Sequence, residues 1–143
     1  TEATPFIPGK AEIFWQSKKP EVLIIASGVL VHNALLAAKE LEEEKIGTIV
    51  LNLHTIKPID EKKIVELAEK TGAVVTVEEH QVMGGVGSAV AEVLAKHYPA
   101  PQEFLGMQDT FGESGNPWDL VDKYGMGVKD IKAAVKKALR RKA

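Results

Sequence analysis

Three continuous apolar runs, separated by amphipathic segments, constrain the fold of this chain most strongly. The runs are Glu21–Gly28, Gly47–His54 and Ala73–Glu79. A strand that is apolar on both faces has to be covered on both sides, which is typical of a parallel sheet between layers of helices. The segments between the runs carry apolar residues at helical spacing. The pattern therefore predicts an open α/β domain with right-handed crossovers.

Capping signals mark the helices between and after these strands. Asp60 is a good N-cap for the second helix, which should end before Gly72. The remaining predicted helices are Val31–Glu44, a helix starting at Val86, one opened by Asn116–Pro117, and one from Val128 to Leu139. One face of the third helix is predicted to hold Val86, Ala89, Val90, Val93, Leu94 and His97. Ala11–Gln16 and Glu103–Gln108 are predicted as two further strands.

Length and composition exclude several classes of protein. The chain has 143 residues, enough for one domain, which we place at residues 11–143 after an extended lead-in at 1–10. The net charge is -2 and there is no cysteine, so nucleic-acid attraction, disulfides and thiolate metal sites are not indicated. No apolar run reaches the ~18 residues of a membrane span. We expect a cytoplasmic location and, because Thr1 stands in place of an initiator methionine, a fragment or a processed product.

The stretch VTVEEHQVMGGVGSAVAEVL joins a buried strand to a helix through three glycines. It allows three interpretations: a nucleotide-binding turn, an acid/base site, or a structural link between strand and helix. A dinucleotide fingerprint needs G-x-G-x-x-G, and here Gly85 and Gly87 are followed by Val90 at the third position. Together with Gly84, these glycines are more typical of a close strand-to-helix turn. Free amides at the helix start could still accept an anion or a carboxylate of a partner.

The polar residues before that turn suggest an edge or an interface. Consecutive strand residues point to opposite faces, so Glu78 and Glu79 do not form a carboxylate pair. His80 is the residue type best suited to acid/base work at neutral pH. A polar cluster at a strand end is more often a hydrogen-bonded structural or interface feature. We therefore predict that Glu79 and His80 face a cleft or an interface.

Ser27–Gly28 is a second turn that opens a helix and could bind an anion. No His–Asp pair is arranged to activate Ser27, and the four histidines lack metal-ligand spacing. There is no G-x-x-x-x-G-K-[ST] motif, which excludes a P-loop NTPase. From the residues alone, the chain is an open α/β domain with one glycine-rich turn and no self-contained catalytic set.

Four stretches in order resemble the C-terminal domain of transketolase-like thiamine diphosphate enzymes. They are VLIIASGVLVHNALLAAKEL, HTIKPIDEKKI, VTVEEHQVMGGVGSAVAEVL and DTFGESGNPWDLVDKYGM, and the resemblance runs from about Gly9 onward. Deoxyxylulose-phosphate synthase is similar but usually has an Arg-Phe segment at His54–Ile56 and F-I-E-H-G at Phe111–Gly115. Both departures favour a transketolase, in particular the split kind whose C-terminal half is a separate polypeptide. The β subunit of 2-oxo-acid dehydrogenases is a more distant match.

The resemblance implies a three-layer α/β/α fold with a five-stranded mixed sheet. The first strand would run antiparallel at an edge and pair with Gly47–His54 rather than form a hairpin. The point where the strand order reverses would then lie between Ser27–Gly28 and the Glu79–Gly87 turn, where ligands of such sheets bind.

The resemblance also implies a function for the whole enzyme and limits the role of this domain. Transketolases transfer a two-carbon ketol unit between sugar phosphates and belong to the pentose phosphate pathway. Thiamine diphosphate and Mg²⁺ would bind the pyrophosphate- and pyrimidine-binding domains, so no catalytic, cofactor-binding or metal residue is carried over here. This domain would make homodimer contacts, and the isolated chain would be inactive.

A regulatory module that binds an anionic metabolite is the alternative from another class. The residues predicted to line an interface or an anion site are Ser27, Gly28, Glu79, His80, Gly84, Gly85, Gly87, Glu113 and Ser114.

Overall fold

The sheet of this protein contains five strands. The structure, a computed structural model, describes residues 6–142. The strands are β1 Glu12–Gln16, β2 Val22–Ala26, β3 Thr48–Asn52, β4 Val74–Gln81 and β5 Gln102–Met107. Their order is β1-β3-β2-β4-β5, with β1 antiparallel to β3 and the other neighbours parallel. The implied mixed sheet is confirmed, and β1 pairs with β3 instead of forming a hairpin with β2.

Residues 6–142 contain five helices. They are α1 Leu30–Glu43, α2 Glu61–Thr71, α3 Val86–His97, α4 Pro117–Lys123 and α5 Val128–Arg140. Helices α1 and α5 pack on one face, and α2 and α3 on the other. Asp60 caps α2 as predicted, since its side chain accepts from the amide of Lys63 at 3.3 Å. No helix within residues 6–142 is long and apolar enough to cross a membrane.

The core lies on both sides of β2, as its apolar sequence requires. All five residues of this strand have no exposed surface. Ile24 packs with the α1 and α5 side of the sheet, whereas Leu23 and Ile25 pack with the α2 and α3 side. Each such aliphatic side chain contributes about 1.5–3 kcal/mol by leaving water. This two-sided burial fixes the positions of the loops that follow the parallel strands.

Two predicted details differ from the structure. The sequence pattern groups His97 with the apolar residues on one face of α3, but His97 is exposed, and its Nε2 lies 3.1 Å from a carboxylate oxygen of Glu61. The helical period continues to this residue, but it sits in the last turn, beyond the edge of the sheet. Strand β4 extends to Gln81, two residues beyond the predicted end at Glu79, so His80 belongs to the strand rather than to the loop after it. Residues 1–5 of the predicted lead-in, and Ala143, lie outside the described residues.

Candidate functional site: a cleft at the carboxyl ends of the strands

A cleft of about 550 Å³ opens between the end of β2 and the β4–α3 turn. Because β2 and β4 are neighbours whose following helices lie on opposite faces, the strand order reverses at this point. The cleft is lined by Ser27, Gly28, Val29, Ile56, Glu78, Glu79, His80, Gly84, Gly85, Val86, Ser88, Ala89 and Glu92. Six of the predicted site residues thus meet at one place, while Gly87 lies buried in the first turn of α3 beneath it.

Glu78 caps the N-terminus of α3 with a side chain that points into the protein interior. Its side chain is buried, with 2% of the residue exposed. One carboxylate oxygen accepts from the amide of Val86 at 2.7 Å, and the other accepts from the amide of Gly87 at 2.8 Å. These are the donors that a helix leaves unsatisfied at its N-terminus. The two amides are therefore not free to bind an external anion.

The glycines of the turn make room for this arrangement. Gly84 has φ 79°, a conformation that residues with a Cβ rarely adopt. At Gly85, a Cβ atom would overlap the carboxylate of Glu78 and the carbonyl oxygen of Gln81. The hydroxyl of Ser88 accepts from the amide of Gly84 at 2.9 Å and donates to the carbonyl of Val82 at 2.8 Å. The backbone amides of Gly84, Val86 and Gly87 are thus hydrogen-bonded within the protein itself.

Glu79 and His80 behave differently from Glu78. Both are exposed, and the alternation along β4 places Glu78 and Glu79 on opposite faces. The Nδ1 atom of His80 lies 3.1 Å from the carbonyl oxygen of Gln81, its neighbour in sequence. This contact leaves the rest of the imidazole facing outward. Glu79 and His80 also line a second groove, so they form a ridge between the two concavities.

The second groove, of about 430 Å³, lies between the end of β4 and the loop of residues 108–116 that joins β5 to α4. Its apolar wall consists of Met107, Pro117, Leu120, Val121, Tyr124 and Met126. Glu113 lines this groove, and Ser114 lies exposed beside it without lining either concavity. The predicted residues therefore divide between two adjoining surfaces.

An exposed ion pair helps to hold that loop. Both carboxylate oxygens of Glu113 lie 2.7 Å from the Nζ of Lys123. The hydrogen bond from Lys123 lowers the pKa of Glu113, and Glu113 in turn raises the pKa of Lys123. The side chain of Gln81 adds two bonds, donating to the carbonyl of Thr110 at 2.8 Å and accepting from the amide of Asp109 at 3.0 Å.

The turn at Ser27–Gly28 is the more open of the two that flank the cleft. Gly28 has φ 65°, and α1 begins two residues later without a side-chain cap. The amide of Val31 donates to the carbonyl of Gly28 at 3.3 Å. Ser27 is half-buried, and its amide donates to the carbonyl of Val77 at 3.2 Å. The turn thus lies at the mouth of the cleft with Val29 projecting beside it.

Sequence reasoning missed the central role of Glu78. It noted only that Glu78 could not pair with Glu79. The available signal was the alternation of β4, which places Glu78 inside an apolar run, where a carboxylate needs hydrogen-bond donors. The start of the following helix supplies such donors. Ser88 and the apolar cleft residues Val29 and Ile56 were also not singled out.

Comparison with known proteins places this fold in a family. The model of the family described as transketolase, C-terminal domain, matches residues 9–131. The chain belongs to this family.

Its relatives include several kinds of transketolase-like enzyme. It is 44% identical over 142 residues to the 6-deoxy-6-sulfo-D-fructose transketolase subunit SqwH of Clostridium sp. (strain MSTE9), covering 99% of this chain and 44% of that protein. It is 38% identical over 124 residues to the 1-deoxy-D-xylulose-5-phosphate synthase of Caldanaerobacter subterraneus subsp. tengcongensis, covering 86% of this chain and 20% of the synthase.

The solved structure of a split-gene transketolase, described as an inactive β4 tetramer, superposes with a TM-score of 0.94 at 47% identity. It is covered over 46% of its length by the whole of this chain. The chain thus spans less than half the length of these proteins. It is a C-terminal domain of the split-gene transketolase type.

Proposed function

We propose that this domain is the structural and assembly part of a transketolase, an enzyme that moves a two-carbon ketol unit between sugar phosphates. The observation that carries the proposal is the use of the cleft's helix amides by Glu78. In a ligand-binding α/β sheet those amides would face the substrate or cofactor. Here they stabilise the junction of β4 with α3, which makes the cleft a shaped surface rather than an anion cradle.

Thiamine diphosphate and Mg²⁺ are proposed to bind the other domains of the enzyme. A diphosphate needs free donors or cations, and the cleft lining offers two exposed carboxylates, Glu79 and Glu92, and no lysine or arginine. Within residues 6–142 no group of three His, Cys, Asp or Glu side chains is placed to hold a metal ion. The residues of this domain therefore do not fit the cofactor, and no step of the reaction is assigned to them.

The partners proposed for this chain are the pyrophosphate- and pyrimidine-binding domains and a second copy of the enzyme, in a cytoplasmic homodimer of the pentose phosphate pathway. The test is a complementation experiment. The enzyme assembled with this domain should form dimers and transfer ketol units, whereas the same enzyme without residues 6–142 should lose both properties. Full activity of the shortened enzyme would refute the assembly role.

The isolated chain gives a second test of the same proposal. Titration with thiamine diphosphate in the presence of Mg²⁺ should show no tight binding, and sugar phosphates should not be turned over. Tight binding of the cofactor would contradict the assignment of the cofactor to the other domains.

A metabolite-sensing role is the second candidate, favoured only by the position of the cleft at the reversal of strand order. The carboxylates of Glu79 and Glu92 would repel a phosphate. Calorimetry with sugar phosphates and nucleotides at millimolar concentration should show no heat of binding. Saturable binding there would revive this role.

A further inference from the structure

At one edge of the sheet, the segment before β1 and the segments after β2, β3, β4 and β5 each carry an exposed apolar side chain. This edge holds the carboxyl ends of β2 to β5 and the start of antiparallel β1. The side chains and their exposed fractions are Ile7 56%, Val29 54%, Ile56 45%, Met83 70% and Phe111 99%. Among the described residues, the loops at the opposite edge contribute none of the strongly exposed large apolar side chains. We call this set of five residues the carboxyl-edge surface.

Four members of the carboxyl-edge surface, Val29, Ile56, Met83 and Phe111, line the two concavities or are next in sequence to residues that do. Val29 and Ile56 line the same cleft as Gly84, the neighbour of Met83 in sequence. Gly112, next to Phe111, lines the second groove. Glu79 and His80 line both concavities, so the cleft and the groove share one ridge. Exposed apolar side chains grouped around a polar ridge are typical of a protein–protein contact.

Phe111 is the most exposed of these side chains although its loop is held in place. The bonds from Gln81, the ion pair of Glu113 with Lys123, and the hydroxyl of Tyr124, which donates to the carbonyl of Phe111 at 3.3 Å, fix the backbone of the loop. A loop ordered in this way presents a large aromatic ring to solvent without having to be ordered again on binding. Aromatic side chains, phenylalanine among them, are enriched in the buried cores of protein–protein interfaces.

We propose that the carboxyl-edge surface docks on the cofactor-binding domains of the same enzyme, with Phe111 as its anchor; this rests on the proposed function. The path of the chain supports this partner. Residue 6 lies at the same edge, because the ring centroid of Phe6 is 4.5 Å from that of His54 just after β3. A domain joined ahead of residue 6 would be attached at this edge.

The negative charge of the cleft favours this partner over a second copy of the domain. Glu79 and Glu92 line the cleft, and within residues 6–142 neither is in an ion pair. In a two-fold contact between identical surfaces, these carboxylates would face the same carboxylates of the second copy. The partner surface is therefore an apolar pocket for Phe111 beside lysine or arginine side chains.

Photo-cross-linking in the complete enzyme tests the partner. With p-benzoylphenylalanine at position 111, irradiation should give a covalent product with peptides of the cofactor-binding domains. The same probe at position 36, where Leu36 is 42% exposed on α1, should give at least tenfold less product. A main product with the C-terminal domain of a second copy, or no product at position 111, would overturn the proposal. The readout does not use activity, so it stands apart from the test of the reaction.

Hydrogen exchange in the complete enzyme tests the anchor. The double variant Phe111→Ser/Met83→Ser should speed exchange of the amides of residues 108–116 by roughly tenfold or more, because truncating an interface anchor commonly costs at least that factor. The matched variant Phe14→Ser/Leu36→Ser removes similar side chains, each 42% exposed, from other faces and should leave these amides unchanged. Equal exchange in wild type and the Phe111 variant, or equal acceleration by the control, would refute the proposal.

Discussion

The inner and outer sides of the β4–α3 segment use the same residue type in opposite ways. Glu78 points inward and binds the first amides of α3, while Glu79 points outward and lies on the ridge between the cleft and the groove. One residue of displacement along a strand separates a structural carboxylate from a surface carboxylate. The difference shows why a glycine-rich turn at a strand end does not by itself indicate a ligand site: its donors have first to be free.

The largest expected effect is that of removing the inner carboxylate. Glu78→Ala should lower the free energy of unfolding by roughly 3 kcal/mol, because two buried amides lose their acceptors. Chemical denaturation measures this difference. Glu79→Ala is the matched control and should change the stability by no more than about 0.5 kcal/mol. Similar losses for the two variants would abolish the distinction between the two sides.

A smaller effect is expected from filling the space beside that carboxylate. Gly85→Ala should destabilise the protein by about 2 kcal/mol, since the added methyl group overlaps Glu78 and forces the turn to shift. Gly112→Ala, where a Cβ meets no atom within 4 Å, should be nearly neutral. Thermal unfolding of both variants checks the pair. A neutral Gly85→Ala would mean that the turn is loose enough to release the amides of α3.

Glu103 sharpens the comparison because it is a buried glutamate stabilised by cations rather than by amides. Burial alone would raise the pKa of Glu103, but Lys137 Nζ at 2.7 Å and Arg141 Nη1 at 2.6 Å outweigh it and lower the pKa. A carboxyl group with a lowered folded-state pKa stabilises the fold above its ordinary pKa of about 4.3. This stabilisation is lost as the pH falls through the lowered value.

Glu103→Gln should therefore lower the stability at pH 7 by about 1 kcal/mol, a modest figure because both cations are more than half exposed. The loss should shrink as the pH falls below about 4. Unfolding curves at several pH values, with and without 0.5 M salt, measure it. A loss that is the same at all pH values would show that packing, not charge, accounts for the role of Glu103.

The smallest effect is expected at the rim of the second groove. Glu113→Gln breaks the exposed pair with Lys123 and should speed amide exchange in residues 108–116 while leaving the melting temperature of the domain unchanged. The lowered pKa of Glu113 implies that the same loosening occurs in the wild type as the pH falls through that value. Lys129→Gln, on the first turn of α5, is the control. A shift in the melting temperature would show that the loop belongs to the core.

Much of the fold follows from the sequence because buried parallel strands need uninterrupted apolar runs. The runs at β2, β3 and β4 and the caps at Asp60 and Asn116 predicted their elements to within a few residues. The place of β1 was not visible in the residues themselves, because pairing with β3 is a long-range contact. Its order came from the resemblance to the transketolase family.

The candidate site was predictable in position but not in its internal hydrogen bonds. Ser27 and Gly84 meet because parallel strands bring their carboxyl ends to one edge. Whether Glu78 or an external anion accepts from the first amides of α3 depends on side-chain distances of a few ångströms. The periodicity of the sequence does not indicate these distances. The exposure of Phe111 is likewise a property of the folded loop.

The hydrogen bonds that Glu78 and Ser88 make to the β4–α3 turn affect the conformational entropy lost on association. Met83 stands at the tip of this turn, held by bonds to the amides of Gly84 and Val86 on either side of Gly85. Because these bonds exist before any partner arrives, the turn gives up little conformational entropy when a partner binds. Met83 thus lies on a turn that is ordered before binding. The free energy gained from its contacts is not offset by ordering of the backbone.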